Sequence, residues 1–408
     1  MSDTIIFGPW SGAVTSTSAQ VKAAITNNTQ ARLAVSTNSD MVSPQFRHPD
    51  SLSVSEMTVV SFDLTGLQPN TEYHYELEIN NSPITSKRGR FRTFPPEDEP
   101  ASFTFICSGD AETGSEHPVF TEIARREPLF FLHMGDMNYA NVHSSQTKKY
   151  RKTYQKVLNS PSQAELYRQV PIVYTWDDHD FDTNDSNREA PGRLAARITY
   201  QECVPHYPLV EGRGDVAIYQ AFTVGRVRFI LTDTRSERTP SSAEDNADKT
   251  VLGKRQKQWL KNELAEGTEK YPLVVWINSI PWIGKKKQGA DRWFGFTTER
   301  DEIGDFIESR AIRNLCMLSA DAHMLAIDNG SNNQPPFGRG GFPVFHASPL
   351  ESTRSVKGGP FSHGPFLDDE GQYGVFMVQD EGGSHIEVTW LGMNMQETVV
   401  THSFASPR

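Results

Sequence analysis

A chain of 408 residues that is 37% hydrophobic and 22% charged is long enough for two or three folded units, one much larger, and its composition excludes disorder as the default state. Its formal net charge of -11 argues against a surface that coats nucleic acid or clings to an anionic membrane, while leaving room for a local basic pocket. The cysteines Cys107, Cys203 and Cys316 are too few and too scattered for a disulfide framework, and no run of about 18 apolar residues offers a membrane-spanning helix.

The start, Met1-Ser2-Asp3-Thr4, lacks the basic-then-apolar pattern of an export signal, so the default expectation is a cytoplasmic protein. Residues 1–94 are rich in Thr, Ser and Asn, with short alternating runs such as Gln20 to Ile25 and Ala31 to Val35 that predict half-buried strands. Within Gly66 to Leu77, Pro69-Asn70 signals a turn feeding an alternating strand whose Tyr73, Tyr75 and Leu77 share one face. This G-L-x-P-x-T-x-Y-x-Y pattern resembles the corner of fibronectin type III domains, which implies a β-sandwich whose tyrosines pack rather than bind a ligand. The stiff, charged stretch from Pro95 to Pro100 reads as a linker.

From residue 101 the pattern changes. Apolar runs at Phe103 to Cys107, Leu129 to Met134, Pro171 to Trp176, Val227 to Thr232, Leu273 to Ile277 and Leu315 to Leu318 alternate with amphipathic stretches. One of these, Gln256 to Glu266, puts Trp259, Leu260 and Leu264 on one face. The alternation predicts an α/β layered domain. From about residue 342, Phe342 to Phe345, Gly374 to Val378 and His385 to Leu391 predict strands that close a second sheet.

Polar residues gather directly after the apolar strands, where α/β folds build their sites. Asp110 follows the first strand, Asp136 and Tyr139 the second, and Asp177, Asp178, His179 and Asp180 the third. Asp233 and Arg235 follow the fourth, Asn278 the fifth, Asp321 and His323 the sixth. So many carboxylates at one edge would repel one another unless cations lay between them, so bound metal is the economical explanation.

G-D-x-x-Y at Gly135 to Tyr139 resembles the signature shared by purple acid phosphatases and PhoD-like enzymes. W-D-D-H-D at Trp176 to Asp180, D-x-R at Asp233 to Arg235 and D-x-H at Asp321 to His323 follow in the PhoD-like order, over roughly residues 101 to 350. The resemblance implies a four-layer αββα metallophosphoesterase domain at 101–408, after a β-sandwich at 1–94 and a linker at 95–100. It implies Asp110, Asp136, Tyr139 and His323 around an iron, with Asp136 bridging to a second ion held by Asp178 and Asp321. Calcium is the family pattern there, with zinc, manganese or magnesium as alternatives, and Asn278 is a weaker candidate ligand. Oxygen-only ligation suits a hard cation. It also implies catalytic roles for Asp136, for His179 in protonating the leaving oxygen or stabilising the transition state, and for Arg235 in clamping the phosphate through its planar fork. Where some relatives place a cysteine ligand after the first strand, this chain reads Cys107-Ser108-Gly109-Asp110. Asp110 is the expected ligand, with Cys107 turned back into the core.

The activity so implied is hydrolysis of a small phosphomonoester or phosphodiester by in-line attack of a metal-bound hydroxide, without a covalent phosphoenzyme. A monoester dianion needs more compensating positive charge than a diester, and a single well-placed arginine leans toward diesters. A phospholipase D-like diesterase is the alternative within the enzyme class. A binding protein retaining an inactive fold is the alternative outside it.

Other features carry blander readings. The acidic run from Asp177 to Asp185 also resembles a calcium loop, but Thr183 stands where such a loop needs glycine. His133, His206, His346 and His385 read as hydrogen-bonded structural histidines, and Lys285-Lys286-Lys287 as a solvated loop. Gly338 to Gly341 and Gly358 to Pro365 read as mobile loops able to cover the site. Many members of the family are exported, which this N-terminus does not itself suggest.

Overall fold

The computed structural model describes residues 5–27, 30–54, 57–333, 341–368 and 371–407; Gly338 to Gly340 of the expected mobile loop and the first four residues lie outside them. Runs such as Leu273–Ile277 and Leu315–Ser319 are buried at every position. Strands of that kind must be covered on both faces, which is how parallel strands pack between layers.

Among the described residues, one sheet runs from Glu397–Ser406 through Ile386–Asn394 and Gln372–Gln379 to the parallel strands Phe103–Ser108, Phe131–His133 and Ile172–Tyr174. The other centres on the parallel strands Val227–Leu231, Leu273–Ile277, Leu315–Ser319 and Val344–Ala347. The antiparallel strands Gln220–Val224 and Leu325–Asp328 lie on either side of these four. Between the sheets lie Phe105, Leu132, Phe229, Val275, Leu318, Phe345 and Phe376. Phe105 stacks at 4.7 Å from Phe130 and 4.8 Å from Phe376. Cys107 and Cys316 join this core as free thiols. Helices cover the outer faces. Val119, Phe120, Ile123, Tyr167 and Tyr200 press on the first sheet, and Leu260, Leu264, Ile303 and Ile307 on the second. The architecture is therefore the expected four-layer αββα stack.

One expectation needs correction. Of the strands predicted to close a second sheet, Val344–Ala347 does so, but Gln372–Gln379 and Ile386–Asn394 return to the first sheet beside Phe103–Ser108. Strand periodicity identifies a buried face but not the partner strand.

Residues before 95 form a two-sheet sandwich. The Tyr73 hydroxyl accepts the Gln68 N–H at 2.9 Å, closing the tyrosine corner, while Tyr75 and Leu77 are fully buried in the core. One of the two sheets is continuous with the first sheet of the stack, because Gly12 pairs in parallel with Ile172. A Cβ at Gly12 would lie 2.5 Å from the Ile172 carbonyl oxygen, so only glycine permits that approach. Tyr75 Oη donates to the Arg168 carbonyl at 3.0 Å, Trp10 Nε1 to the Cys203 carbonyl at 3.1 Å, and Lys22 Nζ to the Gln201 carbonyl at 2.7 Å. The stretch 95–100 is pinned as well: Glu97 accepts from Tyr271 Oη at 2.8 Å, and Asp98 N–H donates to the Gly225 carbonyl at 3.0 Å. No helix among the described residues is long and apolar enough to cross a membrane.

Candidate metal centre

The strand ends of both sheets meet at one edge, and the loops leaving them interlock. Asp110 N–H donates to the Gly135 carbonyl at 3.1 Å and Ala111 N–H to the Asp136 carbonyl at 2.8 Å. This requires unusual backbone. Asp110, Asp136, Asp321 and His323 all adopt left-handed conformations, with φ between 51° and 61°. Non-glycine residues rarely accept that conformation, and it collects at functional sites, where surrounding contacts over-determine it.

The first group of predicted ligands is drawn together. Tyr139 Oη lies 3.1 Å from Asp110 Oδ1 and 3.1 Å from His323 Nε2, which is itself 3.1 Å from Asp110 Oδ1. His323 Nδ1 donates to the Thr353 carbonyl at 2.5 Å, which leaves Nε2 of the neutral ring with a lone pair that could serve a metal ion. Burial opposes the charge on Asp110, but His323 more than offsets it and holds the carboxyl below its usual range.

The second group is equally compact. Ligand atoms of Asp136, Asp178 and His179 lie within 4.8 Å of one another. Asp136 is 1% exposed. Burial, and then the charges of Asp178, Asp177, Asp110 and Asp180, push its carboxyl well above the usual carboxylate range. A buried acid surrounded by acids fits a cation between them, and the oxygen-rich donor set fits a hard one. Asp180, not singled out as a ligand, binds the loop carrying the other motif: its carboxylate accepts from Met137 N–H, Asn138 N–H and Asn138 Nδ2 at 2.7 to 3.2 Å. The His179 ring lies tilted against the Tyr139 ring, 4.3 Å between centroids, and its Nδ1 meets Asn141 Oδ1 at 2.6 Å.

Two expected site residues are positioned differently. Arg235 is fully buried beneath the acids instead of facing substrate. Its Nε donates to Asp177 Oδ1 at 2.5 Å and its Nη1 to Asp291 Oδ2 at 2.6 Å, while Nη2 lies 3.8 Å from Asp178 Oδ2. Nε and Nη1 thus frame the W-D-D-H-D loop while the buried Nη2 makes no hydrogen bond, and the phosphate-clamp expectation is replaced by that framing role. Asp233 of the same motif is also structural, accepting from Trp176 Nε1 at 2.8 Å and from the Arg235 and Ser236 N–H groups at 3.0 Å. Asn278 turns away from the acids: its Oδ1 accepts from Trp293 Nε1 at 2.9 Å and its Nδ2 donates to the Ile280 carbonyl at 2.5 Å. Asp178, Asp185 and Asp291 form a further acidic group. Asp291 is already neutralised there by Arg235 and by Arg238 at 2.7 Å, so ion pairing accounts for it.

Sequence reasoning missed two cations. Arg292 Nε lies 2.9 Å from Asp321 Oδ2, and Lys357 Nζ lies 2.8 Å from Asp321 Oδ1. Burial opposes ionisation of Asp321, but Lys357 and Arg292 hold its carboxyl far below the usual range. The only sequence hint was the Gly358-Gly359 pair beside Lys357, already marked as a covering loop. Lys285, Lys286 and Lys287 are exposed as expected. His346 is fully buried with neither ring nitrogen hydrogen-bonded, in contrast to the hydrogen-bonded role expected for it.

A four-layer αββα stack with acids and histidines at its strand ends defines the metallophosphoesterase class of fold. Within that class the chain belongs to the PhoD-like phosphatase family, whose model matches residues 103–363. Alkaline phosphatase D of Bacillus subtilis strain 168 is 25% identical over 353 residues, covering 74% of this chain and 58% of that protein, so the chain spans less than two thirds of that relative's length. The solved structure of PhoD superposes with a TM-score of 0.79 at 19% identity, covering 99% of this chain and 91% of the other. The purple acid phosphatase PPD1 from yellow lupin seeds gives a TM-score of 0.63 at 13% identity, covering 97% and 73%.

Proposed function

We propose that the chain is a metal-dependent hydrolase of small phosphate esters. The observation that carries this reading is that Asp110, Tyr139 and His323 form one cluster, and Asp136, Asp178 and His179 a second, at the strand ends of the two sheets. Asp110, Asp136, Tyr139 and His323 would hold iron, a donor set of carboxylate, phenolate and imidazole. Asp136, Asp178 and Asp321 would hold calcium through oxygen alone, with Asp136 shared. Such ions supply Lewis acidity toward phosphoryl oxygens and acidify the attacking water.

The remaining roles belong to the chain. Asn141 fixes the His179 ring by accepting its Nδ1–H, so the imidazolium form of the ring presents a second proton on Nε2 for delivery. Water oxygen bonds to phosphorus and gives up a proton to solvent as the ester P–O bond breaks, the departing oxygen takes a proton from the imidazolium form of His179, and an alcohol leaves together with phosphate, or with a phosphomonoester where the substrate is a diester. Arg235 holds Asp177 and keeps Asp178 in place without touching substrate.

The test is steady-state turnover of a nitrophenyl phosphate monoester and the matching bis-nitrophenyl diester by metal-reconstituted protein, with a chelator-treated control. Chelator-sensitive turnover is expected, and Asp136→Asn should lower it by about a thousandfold while releasing metal. Absence of turnover in protein with bound metal would overturn the proposal in favour of a binding protein built on this fold.

A further inference from the structure

Resting on that hydrolase reading, we infer that Arg292 and Lys357 are the phosphate-recognising pair of this site, and that they favour doubly charged phosphomonoesters over diesters. An anionic substrate approaching this protein meets a net charge of -11 and a cluster of buried aspartates at the strand ends. Attraction must come from cations at the site itself. Arg235 and Arg238 are fully buried on Asp291 and unavailable. Arg292 and Lys357 are different, with side chains 19% and 21% exposed against 5% for the Asp321 they share. They sit at the boundary between the acid group and solvent.

Their attachment is rigid at the backbone and exchangeable at the charge. Gly359 N–H donates to the Ile283 carbonyl at 3.1 Å. At Gly358, with φ +96°, a Cβ would meet that same oxygen at 2.1 Å, so the strap bearing Lys357 is clamped where only glycine fits. The strap also reaches the metal centre at His323, whose carbonyl accepts Ser355 N–H at 3.2 Å and whose Nδ1 meets the Thr353 carbonyl. Arg292 is held from the facing segment, where Trp293 N–H donates to the Pro281 carbonyl at 3.3 Å and Gly295 N–H to the Arg292 carbonyl at 2.8 Å. Both cations converge on one carboxylate: Oδ1 takes Lys357 and, at 3.4 Å, Arg292 Nη2, while Oδ2 takes Arg292 Nε. A metal ion held by Asp321 would compete for those lone pairs and weaken its hold on both cations. The groups nearest to receive them are the nonbridging oxygens of a phosphate at the same site, through charge-assisted hydrogen bonds and a bidentate guanidinium. A second side-chain cation matters more to a dianion than to a monoanion, which reverses the lean toward diesters drawn from a single arginine.

The experiment uses metal-loaded wild type, Lys357→Met, Arg292→Gln and Lys357→Arg. It reads kcat/KM for the nitrophenyl monoester and bis-nitrophenyl diester, calorimetric binding of inorganic phosphate, and metal content. Wild type should favour the monoester. Lys357→Met and Arg292→Gln should each lower monoester kcat/KM by about a hundredfold, diester kcat/KM by about tenfold or less, and weaken phosphate binding, with metal retained. Lys357→Arg should recover most of the phosphate binding. Equal losses on both esters, or unchanged phosphate binding in both charge-removing variants, would overturn the inference even with turnover intact. If metal-loaded wild type turns over neither ester, the hydrolase reading falls, and calorimetry still reports whether this pair holds phosphate.

Discussion

Arg235 separates two accounts of one motif. If its guanidinium clamped substrate, replacing it would raise KM and leave stability unchanged. In this structure it lies fully buried between Asp177 and Asp291, so Arg235→Met strands the buried Asp177 carboxylate beside Asp178, while Asp291 keeps Arg238. Removing one partner of such a pair costs about 3 to 5 kcal/mol, and the expected outcome is a lower urea midpoint and lost metal. A stable variant with raised KM alone would restore the clamp. His346 supports a second prediction at this scale. Burial pushes its pKa from the usual 6.5 down to about 4. The unfolded chain therefore takes up this proton as pH falls through 6.5, whereas the folded protein refuses it until about pH 4. Its contribution is full above pH 6.5 and is lost across that window at about 1.4 kcal/mol per pH unit. His346→Leu should flatten the dependence of urea midpoint on pH between 6.5 and 4; an unchanged slope would count against it. The placement of Asp110, Asp136, Tyr139 and His323 was legible because motif spacing brings these side chains to strand ends. Asn278 and Arg235 were not, because a strand-end position does not say toward which side the side chain turns. Arg292 and Lys357 lie 29 and 36 positions from their shared partner, and no local pattern marks such a pairing.

At the scale of elements, the site depends on two loops approaching more closely than side chains allow. Gly135 has φ +110°, and a Cβ there would lie 2.6 Å from Asp177 Cβ, so the G-D-x-x-Y glycine sets the distance between two ligand-bearing loops. Gly135→Ala should destabilise the fold by about 1 to 3 kcal/mol and displace Asp136, measured as reduced metal stoichiometry. Gly66→Ala is the control: its φ is +72° with nothing within 4 Å, so it carries backbone strain without a clash and should leave metal content unchanged. Equal metal loss in both variants would mean that general instability, not loop spacing, governs the site. The strands themselves were readable from apolar runs, down to Leu273–Ile277 at its predicted bounds. Their assignment to sheets was not, since the return of Gln372–Gln379 to Phe103–Ser108 is decided by packing between residues far apart in the chain.

For the whole molecule, the question is whether residues 1–94 are a portable module, as the fibronectin-like corner suggests, or part of the structural frame. Their sandwich adds Ile5–Gly12, Ser18–Ile25, Thr58–Thr65 and Ser51–Val54 to the sheet that ends at Ile172–Tyr174. Without them Ile172–Tyr174 becomes an open edge, and Tyr167, which packs 6.0 Å from Trp10, loses its cover. Exposed edges of buried parallel strands invite pairing with other chains. The stretch from Pro95 to Pro100 is not what holds the two parts together, since Trp10, Lys22 and Tyr75 each bond the helical layer directly. A chain comprising residues 96–408 should therefore associate or aggregate in size-exclusion chromatography and fail to take up its full metal complement, although every proposed ligand lies within it. Were it to elute as a metal-loaded monomer with full turnover, the sandwich would be dispensable for catalysis, and its contacts with the helices would serve only to orient it.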